Sequence, residues 1–211
     1  MKKLVIVGCG GFGREVHDVV DAINAVAPTW ELLGYVDDAP TQFNVDLVQA
    51  RGSSVLGGME VFRDLPDDTA YVIGIGSSDV RRTIASSPLL AGRPAAVLVH
   101  PSTTFGFGNE LGEGTVICAG VVITTNVRIG RHVLLNVHVV IGHDSVVGDF
   151  VTVNPSTGLS GGVHVGEGAF FGTHAVILQN LSVGPGAVVG SGACVIRDVP
   201  SGVTVKGVPA R

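Results

Sequence analysis

Residues 135–153 read LNVHVVIGHDSVVGDFVTV, and a large apolar residue returns at every sixth position of this stretch. The same period holds without a miss from residue 105 to residue 195. The series consists of Phe105, Leu111, Ile117, Ile123, Ile129, Leu135, Ile141, Val147, Val153, Leu159, Val165, Phe171, Ile177, Val183, Val189 and Val195. Neither a helix with 3.6 residues per turn nor a strand with period two keeps a period of six over ninety residues, whereas a three-sided coil of short strands does. The period therefore predicts a parallel β-helix of hexapeptide repeats.

Glycine or asparagine follows most of these large residues, as at Gly142 and Asn136. We expect this position to form the corners of the coil, where the backbone is crowded or left-handed and glycine fits at least cost. A three-sided prism has flat, partly apolar faces that can pack about a threefold axis. The coil therefore predicts a homotrimer with its active site between subunits.

The first hundred residues follow a different pattern, that of alternating strands and helices. The predicted elements are a strand at 4–7, the glycine loop Gly8-Cys9-Gly10-Gly11-Phe12-Gly13, a helix at 14–25, a strand at 32–36 ending in Asp37-Asp38, a third unit at 70–77 with a helix from 79, and a last strand at 95–99. In such a unit the amides at the helix N-terminus hold phosphate, and the carboxylate accepts from ribose or base. We predict a nucleotide-binding α/β domain at residues 1–98 and a β-helix domain at residues 99–211.

Length and composition exclude several classes of protein. Fewer than 100 residues precede the coil, so there is room for about one mononucleotide half and not for a complete NAD-binding fold. The net charge of −5 argues against nucleic-acid binding. No apolar run approaches the roughly 20 residues of a membrane span, and the N-terminus has no signal-peptide cleavage region, so a cytoplasmic protein is expected. Three cysteines without metal-ligand spacing indicate no metal site. Four histidines, at 132, 138, 164 and 174, are expected on the solvated surface or at subunit contacts.

Four motifs together resemble one family, and they cover nearly the whole chain: Gly8–Val16, Gly34–Asp38, His143-Asp144 and Gly207–Ala210. The family is the NeuD/PglD type of hexapeptide-repeat acyltransferases, which contains sugar-nucleotide N-acetyltransferases and sialic acid O-acetyltransferases. The resemblance implies an N-terminal Rossmann-like half domain followed by a left-handed parallel β-helix. It also implies acetyl-CoA as co-substrate and a nucleotide-linked amino sugar as acceptor, with a 4-amino-4,6-dideoxy hexose expected.

The resemblance further assigns roles to individual residues. It implies that His143 is the general base, that Asp144 replaces the usual Glu beside it, and that the Gly161 N–H faces the thioester oxygen. The residues implied for acetyl-CoA are Gly161, Gly172, Thr173, Gly190 and Lys206. Those implied for the nucleotide sugar are Gly10, Gly11, Phe12, Asp37, Asp38, Gly76, Ser77 and Asn136. Relatives often carry a second histidine where this chain has Thr152, and Arg14, Lys206 and Arg211 are candidate phosphate contacts.

Two other functions stay open at this point. One is O-acetylation of a sialic acid or related sugar, which the family also contains. The other is a non-catalytic solenoid that senses a nucleotide. A scaffold has no reason to keep His143-Asp144 at a coil corner, so this pair favours an enzyme.

Overall fold

The computed structural model spans residues 1–211. The chain divides into two compact units, Met1–Leu98 and Val99–Arg211. None of the α-helices combines the length and the apolar character that crossing a lipid bilayer requires.

The N-terminal unit is a four-stranded parallel sheet with helices. The strands are β1 (Lys2–Val7), β2 (Trp30–Val36), β3 (Val55–Gly57) and β4 (Ala70–Ile73), in the order β3-β2-β1-β4. The α-helices are α1 (Gly11–Val26), α2 (Gln42–Ala50) and α3 (Ser78–Ala85), and short 3₁₀ helices span Met59–Arg63 and Pro88–Leu90. The central strand β1 is buried from Leu4 to Val7, as expected for a parallel sheet.

The glycine loop is shorter than predicted. Helix α1 begins at Gly11 and not at Arg14, because Gly10 is the N-cap and the next glycines form the first turn. A Cβ on Gly13 would collide with the carbonyl oxygen of Gly8, so glycine is required where the helix meets the end of β1. The predicted strand at 95–99 is reduced to Leu98–Val99 and an isolated bridge between Tyr71 and Ala95.

The C-terminal unit is a coil of two-residue parallel strands on three faces. The first face contains Thr104–Phe105, Val122–Ile123, Val140–Ile141, Gly158–Leu159, Val176–Ile177 and Cys194–Val195. The second contains Glu110–Leu111, Arg128–Ile129, Val146–Val147, His164–Val165 and Ser182–Val183. The third contains Leu98–Val99, Val116–Ile117, Leu134–Leu135, Thr152–Val153, Phe170–Phe171, Val188–Val189 and Thr204–Val205.

Strands pair with the strand eighteen residues later, as Val140 does with Gly158, so one coil contains three hexapeptides. The last pair of the third face is the exception, because Val188 pairs with Thr204 sixteen residues later. From Ile117 onward the second residue of each strand points inward, and these side chains form one continuous core with the small residues four positions later. Phe105, in the first coil, is 40% exposed. The predicted fold class, a Rossmann-like half domain followed by a hexapeptide β-helix, is confirmed.

The corners of the coil correct one detail of the prediction. A Cβ on the corner glycine Gly112 would collide with the backbone of Gly130 one coil later, so crowding explains this position. The left-handed backbone lies two residues further on, where φ is +57° at Asn126, +51° at His132 and +60° at Asp144. The expectation that His132 lies on a solvated surface or at a subunit contact is wrong. Its ring is buried within the chain and stacked on the ring of Phe150, with 5.3 Å between the two ring centroids.

Candidate active site

His143 and Asp144 lie at the corner that follows the first-face strand Val140–Ile141. Their side chains are both exposed, and Nδ1 of His143 is 2.8 Å from Oδ2 of Asp144. A Nδ1–H that donates to the carboxylate leaves Nε2 with its lone pair, which is the form of imidazole that accepts a proton. The local arrangement is therefore suited to a general base.

Asn126, which sequence reasoning missed, holds the other oxygen of this carboxylate. Its Nδ2 donates to Oδ1 of Asp144 at 3.2 Å from the preceding coil. The hydrogen bond from His143, and next the one from Asn126, keep the pKa of Asp144 below its ordinary value. Asp144 is therefore ionised at neutral pH and fixed from both sides. The eighteen-residue spacing between positions 126 and 144 was the signal that could have found this contact.

Gly161 lies directly against the imidazole, one coil after His143. A Cβ on this glycine would be 2.5 Å from Nε2 of His143, so the ring rests against the glycine backbone. The Gly161 carbonyl accepts from the Asn180 N–H at 3.0 Å, whereas the Gly161 N–H has no acceptor within the chain. A free amide beside a base can stabilise negative charge that develops on an acyl oxygen.

The other β-helix residues predicted for the site lie at a different corner, the one that follows the third-face strands. This corner contains Asn136, Gly172, Thr173, Gly190 and Lys206. One whole face separates it from His143, so a single chain does not bring the two groups together. We call the two sets of corner positions the His143 corner and the Asn136 corner.

Several residues of the Asn136 corner also have a structural role. Asn136 is only 6% exposed, and its Nδ2 donates to the Val153 carbonyl one coil later at 3.2 Å. A Cβ on Gly172 would collide with Ser191, so this glycine is needed for coil stacking. Thr152 is 2% exposed within the strand Thr152–Val153, and so it is a strand residue and not a corner residue.

A second candidate site lies in the N-terminal unit, at the carboxyl ends of β1, β2 and β4. Gly10, Gly11 and Gly76 have open space where a Cβ would be, and none has a positive φ. Nothing inside the protein requires glycine at these three positions, whereas close approach of a ligand would require it. Phe12 is half-buried in the first turn of α1, and Ser77 caps α3.

Asp37 and Asp38 border this site at the end of β2. Oδ2 of Asp37 accepts from the Cys9 N–H, and Oδ1 accepts from the Ala39 N–H, both at 3.0 Å. Burial alone would raise the pKa of Asp37, but these amide hydrogen bonds hold it below its ordinary value. Oδ1 of Asp38 accepts from the Met59 N–H at 2.7 Å. Both carboxylates line a cavity of about 200 Å³ with mainly apolar walls, and each oxygen keeps a lone pair for a ligand donor.

Two arginines hold the loops of this second site. Arg81 is 0% exposed, and its Nη1 donates to the carbonyls of Ile75 and Gly76, each at 2.9 Å. Burial lowers the pKa of Arg81 to about 10. The guanidinium of Arg14, a predicted phosphate contact, instead donates to the Cys9 carbonyl and to Asn44. The position of Arg81 was not predicted, because its sequence neighbours are those of an ordinary exposed helix.

Comparison with known proteins identifies similar sequences and folds. Residues 3–87 match the family described as PglD N-terminal domain. The chain is 32% identical over 213 residues to GDP-perosamine N-acetyltransferase of Escherichia coli O157:H7, covering 98% of this chain and 94% of that protein.

Two solved structures share the whole fold. The acetyltransferase domain of PglB from Neisseria gonorrhoeae FA1090, in complex with acetyl coenzyme A, superposes with a TM-score of 0.87 at 28% identity and covers 100% of this chain and 98% of that chain. PerB from Caulobacter crescentus, in complex with CoA and GDP-perosamine, has a TM-score of 0.85 at 29% identity and covers 100% of this chain and 97% of that chain.

Proposed function

The chain belongs to the PglD/NeuD-type family of hexapeptide-repeat sugar acyltransferases, and on this premise we propose that it transfers acetyl from acetyl-CoA to the amine of a nucleotide-linked amino sugar. The relatives whose names and titles include GDP-perosamine, CoA and acetyl coenzyme A support both substrates. They also favour a 4-amino-4,6-dideoxy hexose carried by GDP.

The observation that carries the proposal is the His143–Asp144 pair with the Gly161 amide beside it. In the proposed reaction Nε2 of His143 takes a proton from the acceptor amine as its nitrogen attacks the thioester carbon. The carbonyl oxygen gains negative charge facing the Gly161 N–H. The new C–N bond forms, the C–S bond breaks, and CoA leaves as its thiol with the proton that His143 took from the amine. A positioned base of this kind contributes about 10²–10⁴ in rate.

The first face supports a homotrimer as the active form. Its outward residues are Thr104, Val122, Val140, Gly158, Val176 and Cys194, a set without charge, and Val140 and Val176 are 44% and 42% exposed. This face lies between the His143 corner and the Asn136 corner. Packing about a threefold axis would cover it and place the His143 corner of one subunit against the Asn136 corner of the next. Acetyl-CoA would bind in the groove between them.

The test is product analysis with matched acceptors. We expect acetyl transfer to a GDP-linked 4-amino-4,6-dideoxy hexose and none to the matching 4-hydroxy sugar, because a deprotonated amine is the better nucleophile toward a thioester. Amino sugars linked to UDP and to dTDP show whether the enzyme distinguishes the nucleobase of the acceptor. Acetylation of sialic acid, with no acetylation of any amino-sugar nucleotide, would contradict the proposal. The cytoplasmic location stays a prediction.

A further inference from the structure

The His143 corner extends along the coil on both sides of the proposed general base. The strands of the first face pair eighteen residues apart, so the residues two positions after their inward side chains lie one above the other. In chain order these residues are Phe107, Thr125, His143 and Gly161. Gly161 therefore lies on one side of the imidazole, and Thr125 and Phe107 lie on the other side.

Phe107 has the most exposed of the large apolar side chains in this chain, at 86%. Its backbone is fixed, because its carbonyl accepts from Oγ1 of Thr125 at 3.0 Å and from the Asn126 N–H at 2.8 Å. The ring is not part of the core of the coil. An aromatic ring held at a defined corner gains free energy when an apolar group of a ligand covers it.

The chemistry of acyl transfer determines which ligand meets this ring. In the proposed reaction the thioester oxygen faces the Gly161 N–H, so the acyl group lies on the Gly161 side of the imidazole. An amine attacks a carbonyl carbon from outside the plane of the thioester and away from its oxygen. The acceptor nitrogen therefore approaches from the opposite side, and the sugar ring that carries it has to lie toward Thr125 and Phe107.

The spacing of the coils matches the size of the acceptor. Two coils separate Phe107 from His143, a distance of about 10 Å along the column. A reacting nitrogen that is hydrogen-bonded to Nε2 of His143 lies about 3 Å away from it. The methyl carbon of a 4-amino-4,6-dideoxy hexose is three bonds from this nitrogen and reaches at most about 4 Å further. The distance that remains is about one van der Waals contact between carbon atoms.

We propose that Phe107 is a specificity-determining residue for the acceptor sugar: its ring packs against the methyl group at C5 and selects 6-deoxy sugars over sugars with a hydroxymethyl group. This inference rests on the proposed function, because it needs an amino sugar at His143. A hydroxymethyl group would lose its hydrogen bonds to water against the phenyl ring, which offers it no partner. The hydroxyl proton of Thr125 is already donated to the Phe107 carbonyl and is not free to replace them.

The experiment compares two acceptors that differ only at this carbon, a GDP-linked 4-amino-4,6-dideoxy hexose and the matching 4-amino-4-deoxy hexose. The parent should have the higher kcat/KM for the 6-deoxy sugar. Phe107→Ala should lower this kcat/KM about tenfold, the discrimination that one methyl-sized group provides in an apolar site, and the ratio between the two acceptors should fall toward one. Phe107→Leu, which keeps an apolar side chain, should retain most of the preference. KM for acetyl-CoA should not change in either variant.

Phe170→Ala is the matched control, because Phe170 is a partly exposed phenylalanine on the third face of the same coil. It should keep the parental ratio between the two acceptors. Light scattering and melting temperatures of all variants show whether the assembly and the fold are intact.

Three results would count against these proposals, and they are distinguishable. An unchanged acceptor ratio in Phe107→Ala would overturn this inference and leave the proposed function intact. Dissociation of Phe107→Ala into monomers, with equal losses for both acceptors, would also overturn the inference and assign Phe107 to a subunit contact. Acetyl transfer by the parent to neither amino sugar would instead contradict the proposed function.

Discussion

Asn126 is the residue whose role the structure defines most clearly beyond the predicted pair. Because it holds the Asp144 carboxylate that orients His143, Asn126→Gly should lower kcat at saturating substrates about fivefold, the equivalent of one hydrogen bond. Glycine adopts the left-handed backbone of Asn126 without strain, so the variant removes only the amide group. KM for acetyl-CoA should not change.

Asn180→Gly is the control for this prediction, because Asn180 has the same left-handed backbone, with φ of +60°, at the same corner two coils after Asp144. It should keep the parental kcat. Equal kcat losses in the two variants would mean that the backbone change, and not the bond to Asp144, is responsible.

A substitution of Asp37 tests the candidate nucleotide-sugar site of the N-terminal unit. Asp37→Ala should weaken binding of the nucleotide sugar by about 10- to 150-fold, the effect of losing a charge-assisted hydrogen bond. CoA affinity should stay at the parental value, because the residues proposed for CoA belong to the β-helix unit. Asp46→Ala, at an exposed carboxylate of α2, should change neither affinity. Unchanged nucleotide-sugar affinity in Asp37→Ala, measured by calorimetry, would remove Asp37 from the site.

Sequence reasoning identified the residues with distinctive motifs and missed those whose partners lie elsewhere in the chain. His143-Asp144 could be singled out because a histidine is followed at once by a carboxylate at a corner of the coil. Asn126 is separated from Asp144 by one whole coil, and its importance follows only when the eighteen-residue register is applied to the corner positions. Arg81 gave no signal, because burial of a single helical arginine depends on what packs against it.

At the scale of elements, helix α1 and strand β2 are joined by a buried polar pair. Nδ1 of His17 on α1 is 2.8 Å from the hydroxyl of Tyr35 on β2. Burial, and next the charge of Arg51, lower the pKa of His17. Because the folded state favours the neutral ring, the unfolded chain binds the proton more readily. This contribution to stability is complete above the unfolded pKa of about 6.5 and decreases as pH falls below it.

The prediction is a lower melting temperature at pH 5.5 than at pH 8, by roughly 2–4 °C for each kcal/mol of lost stability. His17→Gln keeps a polar group at this position and cannot titrate, so the difference between the two pH values should become smaller. Calorimetric scans of both proteins provide the measurement. A pH dependence in His17→Gln as large as that of the parent would show that other groups cause it.

The elements that could be predicted have a stronger sequence pattern than the elements that could not. The hexapeptide period repeats over five coils, so the prediction of each strand is supported by the same pattern in all the others. Strand β1 and helix α1 are marked by an apolar run that leads into glycines. Helix α2 has no comparable pattern, since its Phe43 and Leu47 are exposed, and β3 has only three residues.

At the scale of the whole molecule, the proposed active site requires two subunits. The His143 corner and the Asn136 corner of one chain are separated by the uncharged first face, so the two corners can meet only across an interface. Light scattering should give a mass of three chains of 21.6 kDa. A monomer or a dimer would contradict the threefold arrangement.

Mixed trimers test the central claim, a catalytic site shared between subunits, most directly. His143→Ala and Asn136→Ala subunits are co-expressed with different affinity tags, and trimers that carry both tags are purified. Each variant alone should fold and lose most turnover. Every mixed trimer contains one interface at which an intact His143 faces an intact Asn136, so turnover should recover to about one third of the parental kcat. Mixed trimers that are folded and no more active than either variant alone would show that the site lies within a single chain.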